Sequence, residues 1–240
     1  MLYFLIPVFN EEANLELLCS SIKDIFPDKD KFYVFVDDGS TDSTVEFIKK
    51  FLKDYKYTVL GDGKNHGPGY AFDIGFNWIL ENSVNDNDAI VTIEADNTSD
   101  ITILDRMLKI SDMGYGLVLA SVYAQGGGFE KTSFSRKFYS AIANFIFRFI
   151  FDIQVLTLSS FYRVYRIKVI KDIKNKYGEL IKETGFIAML EILLKAISVN
   201  SEVIEVPMVL HSSRRKGKSK MKVFKTFMNY ITFILKFKKR

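Results

Sequence analysis

The strongest constraint on this chain is an alternation in its first half, where short apolar runs are separated by segments of helical periodicity. Strands are predicted at residues 3–7, 32–36, 57–60, 89–93 and 116–121. Between the first two, Leu15, Leu18, Ile22 and Ile25 recur at spacings of three and four, which marks one buried helical face. Val45, Ile48 and Leu52 repeat the pattern after the second strand, with Ser40 or Thr41 placed to cap that helix. A glycine-rich turn, "GDGKNHGPGY", leads into a helix around 71–81. Strands that alternate with helices pair through crossovers and not through hairpins, so the expected fold is α/β, a mostly parallel central sheet flanked by helices.

The second half differs in character. "GGGFEKTSFSRKFYSAIANFIFRFI" joins a glycine-rich loop, expected to be mobile, to a long apolar helix; 186–198 reads as another helix before a strand in "EVIEVPMVL". The 240 residues suffice for one large α/β domain or two small ones, and a hydrophobic fraction of 48% allows a sizeable core. The one composition boundary falls near His211, dividing the chain into a domain over 1–212 and a tail over 213–240. From His211 to Arg240 there are 11 Lys or Arg and no acid, which leaves 22 basic against 29 acidic residues in the remainder.

Several classes are excluded or left open by this pattern. Cys19 is the lone cysteine, so no intramolecular disulfide forms, and the strand-like opening does not read as a leader; a cytoplasmic setting is expected. No apolar run approaches the ~20 residues needed to cross a bilayer. In the tail, Lys222, Lys225, Lys236 and Lys239 lie on one helical face, while Phe224, Phe227, Met228, Ile231, Ile234 and Leu235 lie on the other. Such a helix lies in a membrane interface or docks on its own domain with its lysines in water. Nucleic acid is not the expected partner, because the tail's charges alternate with apolar bulk and the body is acidic.

The chemistry-bearing residues sit at strand ends. "IVTIEADNTSD" runs an apolar strand into Glu94, Ala95 and Asp96. In open α/β sheets, ligands collect at the carboxyl ends of strands, and alternation turns both acids the same way if the extended geometry persists. Two converging carboxylates call for a cation, and Mg²⁺ or Mn²⁺ completed by substrate phosphates meets that need. The alternative is a solvated turn in which "DNTSD" caps the next helix. "VDDGSTDST" repeats the arrangement after an earlier strand, with Asp38 able to accept from a base or ribose. Two acidic strand ends in one sheet point to a nucleotide site with a metal on its phosphates. "IPVFNEE" adds a stiff exit at Pro7, a flat surface at Phe9 and an acceptor at Glu11.

Taken together, "IPVFNEEANL", "VDDGSTDST", "NHGPGYAFDIGF", "IEADNTSD" and "EVIEVPMVLHSSRRKGKSKM" resemble, in order and spacing, the inverting family 2 glycosyltransferases of the GT-A fold. The resemblance is to the branch of dolichol-phosphate mannose synthases and polyprenyl-phosphate glycosyltransferases, and it spans nearly the whole chain. It implies that Pro7, Phe9, Glu11, Val36 and Asp38 meet the nucleobase, and that Glu94, Ala95 and Asp96 face the donor diphosphate, with Glu94 and Asp96 holding the metal. It further implies Arg136 and Ser140 beside the acceptor, and Arg214 and Lys220 in a basic loop over the diphosphate and acceptor phosphate. Asp96, Arg136, Arg214 and Lys220 are then the catalytic set.

The implied reaction is inverting transfer of one sugar from a GDP- or UDP-linked donor to a polyprenyl phosphate, on the cytoplasmic face of a membrane with which the protein associates peripherally. A saccharide hydroxyl as acceptor, or a non-catalytic nucleotide-sugar-binding relative, are the alternatives. Four positions depart from the family pattern: Glu94 replaces Asp, Val122 stands where an arginine is usual, and Thr157 and Phe161 replace an acid and a glycine. A lipid phosphate is already ionised at neutral pH and needs no general base, whereas a hydroxyl does. Glu130 and Asp152 are the acids between Ser121 and Thr157.

Overall fold

β1 (Leu2–Val8), buried at nearly every position, forms the axis of a seven-stranded sheet in the computed structural model, which describes residues 1–131, 134–217 and 233 but not the side chains of 134–139 and 143. On one side it pairs in parallel with β2 (Lys31–Asp37), which pairs with β3 (Tyr57–Leu60); on the other it pairs in parallel with β4 (Ala89–Thr92). Beyond β4 come β5 (Leu117–Ser121), β7 (Arg163–Arg166) and β8 (Val203–Pro207), so that the full order is β3-β2-β1-β4-β7-β5-β8. A smaller parallel pair joins β6 (Gly128–Glu130) to β9 (Val209–His211).

Strand alternation divides the apolar residues between two cores. Tyr3 and Leu5 join α3 (Pro68–Asn82), α6 (Ile167–Tyr177) and α7 (Ala188–Ser198) on one face. Leu2, Phe4, Ile6 and Val8 join α1 (Glu12–Asp24), α2 (Thr44–Phe51) and α4 (Leu104–Asp112) on the other. Phe147, from α5 (Phe134–Phe151), and Phe233 both enter the first core, and the Phe233 ring lies 6.3 Å from that of Phe151. Trp78 packs on Phe32 at 5.1 Å, a packing role. Among the described residues no helix is long and apolar enough to cross a membrane. The tail lysines from Lys222 onward lie outside the described residues.

The five predicted strands are present, with ends shifted by one residue at most positions. Four other expectations are corrected. β7, unpredicted, runs antiparallel between β4 and β5. Its sequence, RVYR, hides it: Arg163 is fully buried, its guanidinium donating to the carbonyls of Ser160, Leu158 and Met189 at 2.7–2.8 Å and to Tyr165 Oη at 3.2 Å. The single strand expected in "EVIEVPMVL" breaks at Met208, whose N–H bonds Ser121 O and whose carbonyl accepts from Gly128 N. That bond, with the β6–β9 pairing, ties down the glycine run expected to be a mobile loop. A Cβ on Gly127 would stand 2.5 Å from Ser121 O. Finally, α2 starts at Thr44 with Ser43 at its N-cap; Ser40 Oγ accepts from Asn10 N and the Thr41 N–H bonds Asn10 Oδ1, so neither caps a helix.

One buried ion pair shapes a loop that reaches the site. Glu191 and Lys195, on α7 and each about 5% exposed, meet at 2.8 Å. Glu191 also accepts the N–H groups of Lys182 and Glu183, and Lys195 donates to Leu180 O. The loop so held accepts Gly69 N at Thr184 O, 2.8 Å, and lies so close that a Cβ on Gly69 would come within 1.9 Å of Glu183 O.

Candidate active site

The order of the sheet creates a crevice between β1 and β4. β1, β2 and β3 proceed to one side and β4 lies on the other, so the direction of strand addition reverses between them, the place where open sheets bind ligands. β1 and β4 are paired from Leu2–Ala89 to Leu5–Thr92 and then part, with the Ile93 N–H to Leu5 O bond as the last link. Pro7 and Val8 continue against Val36 and Asp37 of β2 alone. Pro7 has no N–H to leave unpaired at the opening.

On the β4 side lies the acidic turn. β4 ends at Thr92, so the extended geometry that would aim both acids outward does not persist, and the two carboxylates take different partners. Glu94 is directed inward: Oε2 accepts from Ser99 Oγ at 2.7 Å and Oε1 from the Phe161 N–H at 3.3 Å. Burial, and then the charge of Asp96, hold its carboxyl above the usual range, against the pull of those bonds. Ala95 is buried in the second core between the two acids. Asp96 Oδ1 accepts the Thr98 N–H and hydroxyl, at 3.0 and 2.7 Å, and Oδ2 accepts Nε and a terminal nitrogen of Arg215. Asn97 makes the turn at φ +62°, a conformation asparagine tolerates. The capping expected of "DNTSD" is also present, since Asp100 accepts from Thr102 N.

On the β1 side, short polar side chains stitch the two turns together. Glu11 N donates to Thr44 Oγ1, Thr44 N to Asp42 Oδ1, and Asn65 Nδ2 to Asp38 O. Asp38 is nearly buried, and its carboxylate accepts from Asn65 Nδ2 and the His66 and Gly67 N–H groups at 2.7–3.0 Å. Burial raises its pKa, and the His66 and Gly67 bonds oppose the rise. The acceptor capacity of Asp38 therefore goes into positioning the glycine-rich loop. Asp37, half-buried beside it, accepts from Ser40 N. His66 is a loop residue paired with Asp62 at 3.0 Å.

Asn14, absent from the sequence reading, connects the parts. It is 3% exposed; its Nδ2 donates to Glu11 Oε2 at 2.6 Å and to Lys216 O at 3.1 Å, and its Oδ1 accepts Lys216 N at 2.9 Å. Its backbone carbonyl accepts from Asn97 Nδ2. The opening turn, the acidic turn and the basic segment thus meet at one buried amide. The segment is also held at its start, where His211 N bonds Thr98 O.

The remaining site candidates are dispersed. Val36 is buried beside Pro7, and Phe9 and Glu11 are half-buried at the crevice mouth. Ser140 is half-buried on α5, whereas the Arg136 side chain and all of Lys220 lie outside the described residues. Arg214 is exposed and, with Leu18, Ile22, Glu94 and Ser99, lines a cleft of about 100 Å³ on the α1 side of the acidic turn. It is Arg215, not singled out from sequence, that reaches Asp96. Val122 packs against the second core. Thr157 shares a 2.6 Å hydroxyl contact with Ser121, and the backbone around it is held by Glu205, which accepts from Leu156 N and Thr157 N. Phe161 has its N–H on Glu94 and its ring between Phe72 and Phe186.

These donors suit a small divalent cation. No group of three potential protein ligands occurs among the described residues, and Mg²⁺ or Mn²⁺ on a nucleotide uses one or two carboxylates, with phosphates and water completing the shell. Asp96 already carries a cationic group on Oδ2, so the position favours positive charge.

Residues 3–174 match the glycosyl transferase family 2. The polyprenol monophosphomannose synthase of Mycolicibacterium smegmatis is 28% identical over 219 residues, covering 90% of this chain and 79% of that protein. The undecaprenyl-phosphate mannosyltransferase of Micrococcus luteus is 27% identical over 218 residues, covering 90% and 86%. Among solved structures, glucosyl-3-phosphoglycerate synthase from Mycobacterium tuberculosis, in complex with Mn²⁺, UDP-glucose and phosphoglyceric acid, superposes with a TM-score of 0.68 at 14% identity, covering 98% of this chain and 79% of that one. At that identity the likeness is one of fold.

Proposed function

The chain belongs to glycosyl transferase family 2, as an enzyme of the GT-A fold, and we propose on that premise that it moves a single hexose from a nucleoside-diphosphate sugar to a polyprenyl phosphate with inversion. The observation that carries this reading is the acidic turn Glu94–Ala95–Asp96 at the open crevice between β1 and β4, with a basic segment fastened across it. The names of the two relatives, a polyprenol monophosphomannose synthase and an undecaprenyl-phosphate mannosyltransferase, support a lipid-phosphate acceptor and make mannose the first sugar to try.

In this reading the nucleobase enters over Pro7, Phe9 and Val36, with Glu11 at the rim and Asp38 acting through the loop it holds. Asp96 would hold Mg²⁺ or Mn²⁺, with Glu94 as the second carboxylate behind it; such an ion supplies Lewis-acid neutralisation of the departing diphosphate. Arg214, Arg215 and Lys220 add fixed positive charge where negative charge develops as the sugar bond breaks. Arg136 and Ser140 receive the acceptor. An ionised phosphate attacks the anomeric carbon from the face opposite the leaving group, and no proton need be removed. The basic, aromatic tail supports peripheral association with an anionic cytoplasmic leaflet, about 1 kcal/mol for each basic residue near the surface. The unit 1–212 would then form the glycosyltransferase domain, and 213–240 would add the basic loop over the diphosphate and the membrane contact.

The test is incubation with radiolabelled GDP-mannose, and in parallel UDP-hexoses, together with Mn²⁺ and undecaprenyl phosphate, followed by organic extraction. Acid-labile label in the organic phase is expected. Label confined to the aqueous phase with every donor defeats the lipid reading. A hydroxyl acceptor is favoured by one observation: Glu130 is held by His211 Nδ1 at 2.8 Å and Ser213 Oγ at 3.3 Å, a carboxylate–imidazole pair of the kind that removes protons. Transfer to a soluble saccharide, lost in Glu130→Gln, identifies that case.

A further inference from the structure

We propose that Arg215 is a built-in counter-cation of the donor site, which occupies Asp96 until a divalent ion displaces it and is then handed to the donor diphosphate. The inference rests on the donor-site reading and deepens it. Its consequence is that metal and nucleotide bind cooperatively through this side chain.

Three features of the geometry lead there. First, the guanidinium engages Asp96 Oδ2 through two nitrogens, Nε at 2.7 Å, while Oδ1 is occupied by Thr98. The oxygen left for a metal is therefore the one the arginine covers. Second, the backbone on both sides of Arg215 is anchored without help from the ion pair: His211 N bonds Thr98 O, and the Asn14 amide holds both Lys216 N and Lys216 O. Arg215 can leave Asp96 by rotating its side chain, with the segment still in place. Third, the pair is partly open to solvent, 21% for the arginine and 15% for the aspartate, so its attraction is screened and an incoming ion can compete.

A swing of the guanidinium keeps the local charge in balance. With Arg215 on Asp96 the pair is neutral. A divalent ion arriving alone must evict the guanidinium from Asp96 with no phosphate to receive it, and so binds weakly. When it arrives with a nucleoside diphosphate, the phosphates accept the displaced guanidinium, whose planar fork matches phosphate oxygens. Linkage requires the effect to be mutual, with each ligand raising the other's affinity by the same factor.

The test measures Mn²⁺ affinity by electron paramagnetic resonance on the full-length protein, with and without saturating GDP or UDP, for wild type, Arg215→Gln, Arg215→Lys and Asp96→Asn. Expected is at least a tenfold gain in affinity for Mn²⁺ alone in Arg215→Gln, and a nucleotide-induced enhancement at least threefold smaller than in wild type. Arg215→Lys, which keeps the charge but not the fork, falls between them and supplies the comparison if the Gln variant folds poorly. An Mn²⁺ affinity in Arg215→Gln that is equal to or below that of wild type overturns the exchange, while loss of binding in Asp96→Asn leaves the donor-site reading standing. If Asp96→Asn binds Mn²⁺ as wild type does, the ion is not at Asp96 and both readings fall.

Discussion

Removal of the Glu191 carboxylate tests whether the loop beside the proposed donor site is held by a buried charge pair. In Glu191→Ala, Lys195 keeps its ammonium in a site about 5% exposed and loses its 2.8 Å partner. Breaking one half of a buried pair costs about 3–5 kcal/mol, because the surviving charge stays desolvated. The N–H groups of Lys182 and Glu183 lose their acceptor as well. For a domain of this size each 1 kcal/mol moves the midpoint by roughly 2–4 °C, so a fall of about 6–20 °C is expected. Urea unfolding followed by the fluorescence of Trp78, which packs on Phe32, measures the free energy directly. Glu191→Gln/Lys195→Met removes both charges yet keeps an oxygen for the two backbone N–H groups, and is expected within about 1–2 kcal/mol of wild type. A loss below about 1 kcal/mol in Glu191→Ala, or a double variant no more stable than Glu191→Gln alone, refutes the reasoning.

Further outcomes concern the same surroundings. Gly69→Ala, whose Cβ would stand 1.9 Å from Glu183 O and 2.9 Å from Ala188 Cβ, is expected to cost about 1–3 kcal/mol and to weaken nucleotide binding, as the loop carrying Gly67 shifts off Asp38; an unchanged urea midpoint contradicts this. Asn14→Ala frees the Lys216 backbone, so tryptic cleavage after Arg215 should accelerate several-fold, and an unaltered rate would show that the segment is held elsewhere. Asp73 has its pKa raised above 3.8, chiefly by burial, with the Ile181 N–H bond and the charges of Lys174 and Lys195 opposing. Its folded-state pKa exceeds the unfolded one, so its contribution to stability is present below the unfolded value and is lost as pH rises through the folded value. Asp73→Asn should therefore be more stable than wild type at pH 7, with the difference closing as pH falls toward 3.8; melting curves across that range decide the point.

The parallel sheet was legible in the linear chain because it rests on local periodicity, and the family because its motifs stand in order along the sequence; that the apolar residues divide between two cores was seen only in the structure. Tyr3 and Leu5 against Phe4 and Ile6 already sort themselves to two faces, and the acids of "IEADNTSD" and "VDDGSTDST" already stand where strands end. β7 was not legible: RVYR puts two arginines in a strand. Arg163 is buried there because the carbonyls of Leu158 and Ser160, just before it, are joined around its guanidinium by that of Met189 on a helix that packs beside it only in the folded chain. The glycine run at 126–128 carries the composition of a free loop, and a partner strand some 80 residues away draws its last glycine into β6.

The proposed donor site divides in the same way. Residue types and their order, which depend on what chemistry a side chain carries, already pointed to the acidic turn, the opening turn and a basic loop, and the fold brings these three together. Which oxygen faces which partner depended on tertiary structure alone. Glu94 turns inward and Asp96 meets Arg215 because β4 stops at Thr92 and the basic segment is fastened at Thr98 and Asn14. A charge acts over a few ångströms, and in this chain Asp96 and Arg215, 119 positions apart, come within that range only when the sheet has folded.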